Sequence, residues 1–170
     1  MHGEYDAAIA ELRTAIDLNS SSALAHHGLA FAFVSTGQFD EAISGCNSAI
    51  LLSPRDPFVW GFYTLRDQAY FRLGDYEAAM EDARRAMRHP AARFWPYATL
   101  ASSLALLDRR EEAKIALNKL LEIKPDFTPN DALAAFPPLN PKAMRPLFKT
   151  WIEGLRKAGL AIPDEPATSN

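Results

Sequence analysis

Only one cysteine, Cys46, stands among 170 residues, which excludes an internal disulfide framework. No apolar run reaches the roughly 18 residues that a membrane-spanning helix needs, so no membrane partner is expected. Glu4, Asp6 and Glu11 stand where a secretory leader would carry its apolar stretch, and a cytoplasmic setting is the expectation. Charge of one sign is scarce. With 18 Lys and Arg against 21 Asp and Glu, the formal net charge of −3 gives no general pull toward nucleic acid or an anionic surface. Gly-rich phosphate loops, nucleophile elbows, Cys–His pairs and the HExxH pattern are all missing, so no catalytic residue, cofactor or enzymatic activity is expected. His26 and His27 are adjacent and would point about 100° apart on a helix, while His2 and His89 lie far away in the chain, so no metal is expected.

What the chain does have is a repeat. Gly3-Glu4-Tyr5-Asp6-Ala7-Ala8-Ile9 returns as Gly37-Gln38-Phe39-Asp40-Glu41-Ala42-Ile43 and as Gly74-Asp75-Tyr76-Glu77-Ala78-Ala79-Met80, with a degenerate copy at Asp108 to Lys114. Counted from the leading residues the steps are 34, 37 and 34. Periods of this size mark stacked helical units, each unable to bury its apolar face alone. Ala8, Ala42, Ala79 and Ala113 are small where helices must approach closely, and Gly37 and Gly74 fall between helices, where a positive φ is easily adopted. Ala15-Ile16, Ala49-Ile50, Ala86-Met87 and Leu120-Leu121 occupy equivalent later places, and Pro54, Pro90 and Pro125 close three units. A second helical stretch precedes each of the last three leading residues: Ala23 to Thr36, Pro57 to Leu73 and about Phe94 to Leu107. Asp56 before Pro57 reads as a helix cap followed by proline at the first helical position. The stretch from Pro57 is three residues longer than that from Ala23, which predicts a helix about one turn longer, or roughly 4.5 Å. Cys46, whose counterparts are Leu12, Ala83 and Leu117, reads as a buried small hydrophobe. Arg84, Arg85, Arg88, His89 and Arg93 form a basic cluster that reads as a solvated face paired with Glu77, Glu81 and Asp82.

This pattern resembles the tetratricopeptide repeat, a helix-turn-helix unit. His26, Leu29-Ala30 and Phe33 in one copy, and Tyr97, Leu100-Ala101 and Leu104 in another, hold the places of that family's Trp, Leu-Gly and Tyr. The match runs from about residue 3 to 125. It implies an all-α fold, a right-handed α-α superhelix with a C-terminal capping helix. The expected organisation is an array over 1–126 (a half repeat plus three repeats), a capping segment over 127–160 and a disordered tail over 161–170. Met144, Leu147, Phe148, Trp151, Ile152 and Leu155 follow helical spacing, with Pro146 near the start of that helix and Gly159 as its C-terminal cap, and Trp151 is expected to pack near Ala116, Leu117 and Leu120. The first copy has only its second helix. Its Ile9, Leu12 and Ile16 are expected to lack a partner helix, which suggests a fragment of a longer protein and self-association through the open N-terminal helix.

The resemblance also implies the function: a protein-interaction scaffold that binds a peptide or partner domain on its concave face, lined by the first helix of each pair. In this register the groove residues are His27, Phe31, Thr64, Gln68, Arg72, Trp95 and Ser102, accompanied by Leu24, Val34, Ser35, Gly61, Ala98 and Ala105. The family's carboxylate clamp needs Lys, Asn and Arg here. His27, Phe31, Thr64 and Gln68 stand instead, so a receptor for chaperone tails is disfavoured, and a neutral, aromatic groove suits an apolar or helical peptide. The segments Leu52-Ser53-Pro54-Arg55-Asp56-Pro57 and Gly154-Leu155-Arg156-Lys157-Ala158-Gly159-Leu160 resemble the C-terminal repeat region of bacterial class III adenylate/guanylate cyclases and of TolB-like or winged-helix regulators. That likeness leaves open the alternatives of a cyclase's regulatory tail and a transcription regulator's sensor segment.

Overall fold

The computed structural model describes residues 2–128, 131 and 141–162, with side chains placed from Tyr5 and, in the last helix, from Phe148. Among these residues there are eight α-helices and no strand: α1 (His2–Leu18), α2 (Ala23–Thr36), α3 (Phe39–Leu52), α4 (Val59–Leu73), α5 (Tyr76–Met87), α6 (Trp95–Leu106), α7 (Arg110–Ile123) and α8 (Pro141–Ala158), with a short 3-10 turn at Pro90–Ala92. Most of the stretch from Pro129 to Asn140, the expected tail beyond Ile162, and the side chains of Met144, Pro146 and Leu147 lie outside the described residues.

Three hairpins, α2–α3, α4–α5 and α6–α7, form the tightest helix pairs. The first two turn on glycine. Gly37 and Gly74 take φ of 83° and 82°, the left-handed conformation that closes a helix at little steric cost. At the equivalent place in the third hairpin Asp108 takes φ of 56° with a β-carbon present, a conformation Asp tolerates better than most residues. Asp75 caps α5 by accepting from the Ala78 amide, and Ser22 caps α2 by accepting from that of Ala25.

Successive hairpins stack because each first helix sits on the second helix of the preceding pair: α4 on α3 and α6 on α5. Ala30, Ala42, Ala49, Ala69, Ala79, Ala83, Ala86, Ala98, Ala101 and Ala113 are fully buried, so the seams are built on small side chains that allow close approach. Larger groups fill what remains, with Phe62, Leu104, Leu120 and Leu155 enclosed. Cys46 is enclosed as well, and burial pushes its thiol pKa up to about 12.

Two expectations change. Of the three extra residues only one lengthens the helix, since α4 has 15 residues and α2 has 14. The other two are spent in a turn in which Asp56 accepts from the Phe58 amide at 2.8 Å, and the helix begins only at Val59, so Asp56 caps that turn and not the helix. The N-terminal face is also less open than expected. Ile9 is buried in one cluster with Ala30, Ala32, Phe33 and Val34, and Leu12 lies over Gly28 of α2, whose missing β-carbon would come within 3.0 Å of it. Ile9 and Leu12 of α1 therefore meet α2, while Ile16 stays half-buried and Ala15 exposed, unlike the buried Ala49 and Ala86 at the equivalent places.

Candidate peptide-binding groove

The first helices α2, α4 and α6 lie side by side, as a shared groove requires. The proposed lining residues meet different fates there. Phe31, Gln68 and Trp95 are half-buried, which leaves each part of its surface for a ligand. His27 is largely enclosed by aromatic rings, edge-on to Phe58 at 5.3 Å and tilted against Phe62 at 5.2 Å. Burial lowers its pKa, and a hydrogen bond with the Gly61 backbone only partly opposes that. Thr64 is buried and donates to the Trp60 carbonyl at 2.8 Å. Arg72 lies over the Phe39 ring at 5.9 Å, and burial lowers its guanidinium pKa to about 10.

Ser102 departs furthest from expectation. It is fully buried, and its hydroxyl donates to the backbone carbonyl of Trp151 at 3.0 Å. The covering element is α8, which packs chiefly on α6 and only lightly on α7. Gly154 makes the approach feasible, because a β-carbon there would stand 2.0 Å from the Ser102 hydroxyl oxygen. Trp151 meets Phe127 and Phe148 with its ring, while Leu155 and Ala158 enter the core formed by α6 and α7, which includes Ala116, Leu117 and Leu120. Helix α8 thus covers the α6 end of the face shared by α2, α4 and α6.

Three features were not anticipated. Phe58, Trp60 and Phe62 build an aromatic cluster around His27, with the Phe58 ring laid on Gly61 where a β-carbon would come within 2.4 Å. An open cleft of about 570 Å³ lies on another face of α6, lined by Arg84, Met87, Tyr97, Leu100, Ile115 and Glu122 among others. Its Arg84 already pairs with Glu81 and Glu112, and Arg85 of the same basic cluster pairs with Asp82. A buried ionic knot spans three helices. Arg66 of α4 grips Asp82 of α5 through two nitrogens, at 2.5 and 2.8 Å, and reaches Asn47 of α3. Beside it Asp67 is fully buried, and among the described residues neither of its carboxylate oxygens has a hydrogen-bonding partner. Burial and the nearby Asp82 charge raise its pKa well above the usual carboxylate range. Thr99 of α6 acts in the opposite sense without reaching hydrogen-bonding geometry. No group of three His, Cys, Asp or Glu side chains that could hold a metal ion occurs among the described residues. Nor is any described helix long and apolar enough to cross a membrane.

A family model for the TPR repeat matches residues 2–37, and one for the tetratricopeptide repeat matches 68–88 and 96–127, just over half of the chain together. The chain is a tetratricopeptide repeat protein. Solved structures agree on the fold, a right-handed stack of helix pairs. The crystal structure of MamA superposes with a TM-score of 0.68 at 20% identity, over 92% of this chain and 88% of that one. YrrB, described as a TPR protein with an unusual peptide-binding site, gives 0.64 at 19% identity over 92% and 77%. PilF from Pseudomonas aeruginosa gives 0.65 at 20% over 95% and 72%. At these identities the likeness concerns the fold alone. No curated protein matches.

Proposed function

We propose that this tetratricopeptide repeat protein is an interaction scaffold that acts by binding and not by catalysis, and that it takes an apolar or helical peptide on the face shared by α2, α4 and α6. The observation that carries this is that Phe31, Gln68 and Trp95 are half-buried, partly exposed side chains on three adjacent first helices. Neutral and aromatic side chains of this kind gain by meeting apolar surface and carry no charge to desolvate. The array over 1–126 supplies the groove and the segment over 127–160 closes it. The likeness of Leu52–Pro57 and Gly154–Leu160 to the repeat regions of bacterial cyclases and winged-helix regulators supports placing the module in a cytoplasmic signalling protein, where it would govern assembly. Self-association through α1 would use the accessible Ala15 and Ile16, since Ile9 is covered by α2.

A photo-crosslinking amino acid at Gln68, compared with one at the exposed Lys114 of α7, tests the groove. A defined protein adduct at 68 that is absent at 114 and reduced by Phe31→Ala is the expected result. Adducts at 114 with none at 68 would move the binding face elsewhere.

A further inference from the structure

The open cleft lined by α5, α6 and α7 lies apart from the groove, and the register of the repeat gives its origin. One place on the second helices is held by Gly45 in α3, Asp82 in α5 and Ala116 in α7, at steps of 37 and 34 residues. A place on the first helices, held by Leu29, Arg66 and Leu100, keeps the same steps.

The three hairpins treat this place differently. In the first, glycine lets α3 close onto α2. A β-carbon at Gly45 would stand 3.0 Å from that of Ala30 and 3.1 Å from the His26 carbonyl oxygen. In the second, a side chain fills the place. The Arg66 guanidinium grips Asp82, reaches Asn47 and lies over the Tyr63 ring at 5.5 Å. The third has neither device. Leu100 and Ala116 replace the ion pair with shorter apolar groups, Tyr97 stands where Tyr63 does, and a cleft of about 570 Å³ is left.

The lining decides what this cleft can take. Leu100, Leu104 and Ala116 are buried and form its floor, Met87 and the Tyr97 ring flank it, and Ile115 stands at the lip, 68% exposed. Its four charged side chains cancel in pairs, Arg84 with Glu112 at 3.3 Å and Lys119 with Glu122 at 2.6 Å. A charged guest would have to break these pairs, whereas a neutral one leaves them intact. A thioether and a phenol ring are both favourable neighbours for an aromatic ring. Because the cleft is open, a free small molecule would stay wet on one side. An aromatic side chain presented by a protein is covered on that side by the surface that carries it, as anchor residues at the centres of interfaces are.

We propose that this cleft is a second binding site, separate from the face shared by α2, α4 and α6. It takes a neutral aromatic side chain of a partner protein, in the place that Arg66 fills in the preceding hairpin.

The test is an NMR titration of the full chain, methyl-labelled at isoleucine and methionine, with N-acetyltryptophanamide. The methyl groups of Ile115 and Met87 should shift and saturate, with a dissociation constant of about 1–10 mM for so small a probe. N-acetylleucinamide should bind about threefold or more weakly. Leu100→Arg together with Ala116→Asp transplants the ion pair of the preceding hairpin into the cleft and should weaken probe binding by about tenfold or more. If the probe leaves both methyls unmoved, or if this filled variant keeps its helical content and binds as well as the wild type, the proposal is overturned. Equal binding of the leucine derivative also overturns it, since the cleft would then be apolar surface without preference for a ring. Should the double variant fail to fold, Ile115→Glu decides, read at the Met87 methyl. That position is exposed, and Glu81 holds the equivalent place in the preceding hairpin. A loss of affinity of about threefold or more supports the site, and any smaller change overturns it.

Discussion

Asp67→Asn should stabilise the protein, and by an amount that grows with pH. Asp67 sits at the crossing of α4 and α6, where the matching residues of the flanking first helices are Ala30 and Ala101. It is fully enclosed, its oxygens have no donor among the described residues, and Asp82 adds a like charge nearby. Both burial and that charge favour the protonated acid, so the folded state holds a proton that the unfolded chain releases near the ordinary aspartate value of about 3.9. An acid shifted upward in the fold contributes stability that is complete below the unfolded value. It is lost as pH rises toward the folded value, by about 1.4 kcal/mol for each pH unit in that window, and the loss then levels off. Asparagine keeps the shape and removes the titration. Urea unfolding of both proteins from pH 4 to pH 8 is the assay. The two stabilities should lie close together at pH 4 and diverge upward, with the asparagine variant ahead. The depressed pKa of His27 contributes the opposite slope, with stability gained as pH rises toward about 6.5, but it is common to both proteins and cancels in the difference. Parallel curves across the whole range would mean that Asp67 is ionised and well served in the fold, and the account of its site would be wrong.

Other outcomes follow from the same packing. Arg66→Ala removes the main partner of Asp82, which is 1% exposed, and should cost about 3–5 kcal/mol in chemical denaturation, since a buried charge is left under-compensated. A loss below about 1 kcal/mol would show that Arg85 and water suffice. Leu120→Ala opens a cavity in the α6–α7 core and should cost about 2–5 kcal/mol by the same measurement. Asp108→Gly relieves a positive φ and should raise stability by about 1 kcal/mol, with a higher thermal midpoint as the readout. Cys46, enclosed and with a thiol pKa pushed up to about 12, should react with a thiol reagent at pH 8 only as fast as the α2–α5 region opens, so its labelling rate should rise with urea.

The stack itself was legible in the residues. Small side chains at the seams and glycine at the hairpin turns are local requirements that recur with each unit, so the period exposes them. Cys46 was readable for the same reason, through its aligned counterparts. The length of α4 was misjudged because the count of residues between landmarks does not say whether extras enter a helix or a turn. The Asp56 side chain, which bonds the Phe58 amide, decides that. The burial of Ser102 depends on where α8 lies, a contact 49 residues away along the chain that no repeat pattern encodes. Asp67 occupies a place where the flanking first helices carry Ala30 and Ala101, yet its lack of partners is a property of the packed neighbourhood that spacing does not encode.

The turn before α4 has a practical meaning for altering this protein. Two residues more than in the turn before α2 are absorbed there, with Phe58 folded back over Gly61. A single residue added inside α4 would instead rotate everything after it by about 100° and carry Arg66 away from Asp82. Sequence 53–58 is therefore where an epitope, a fluorophore or a short foreign loop can be grafted while the rest of the solenoid keeps its pitch.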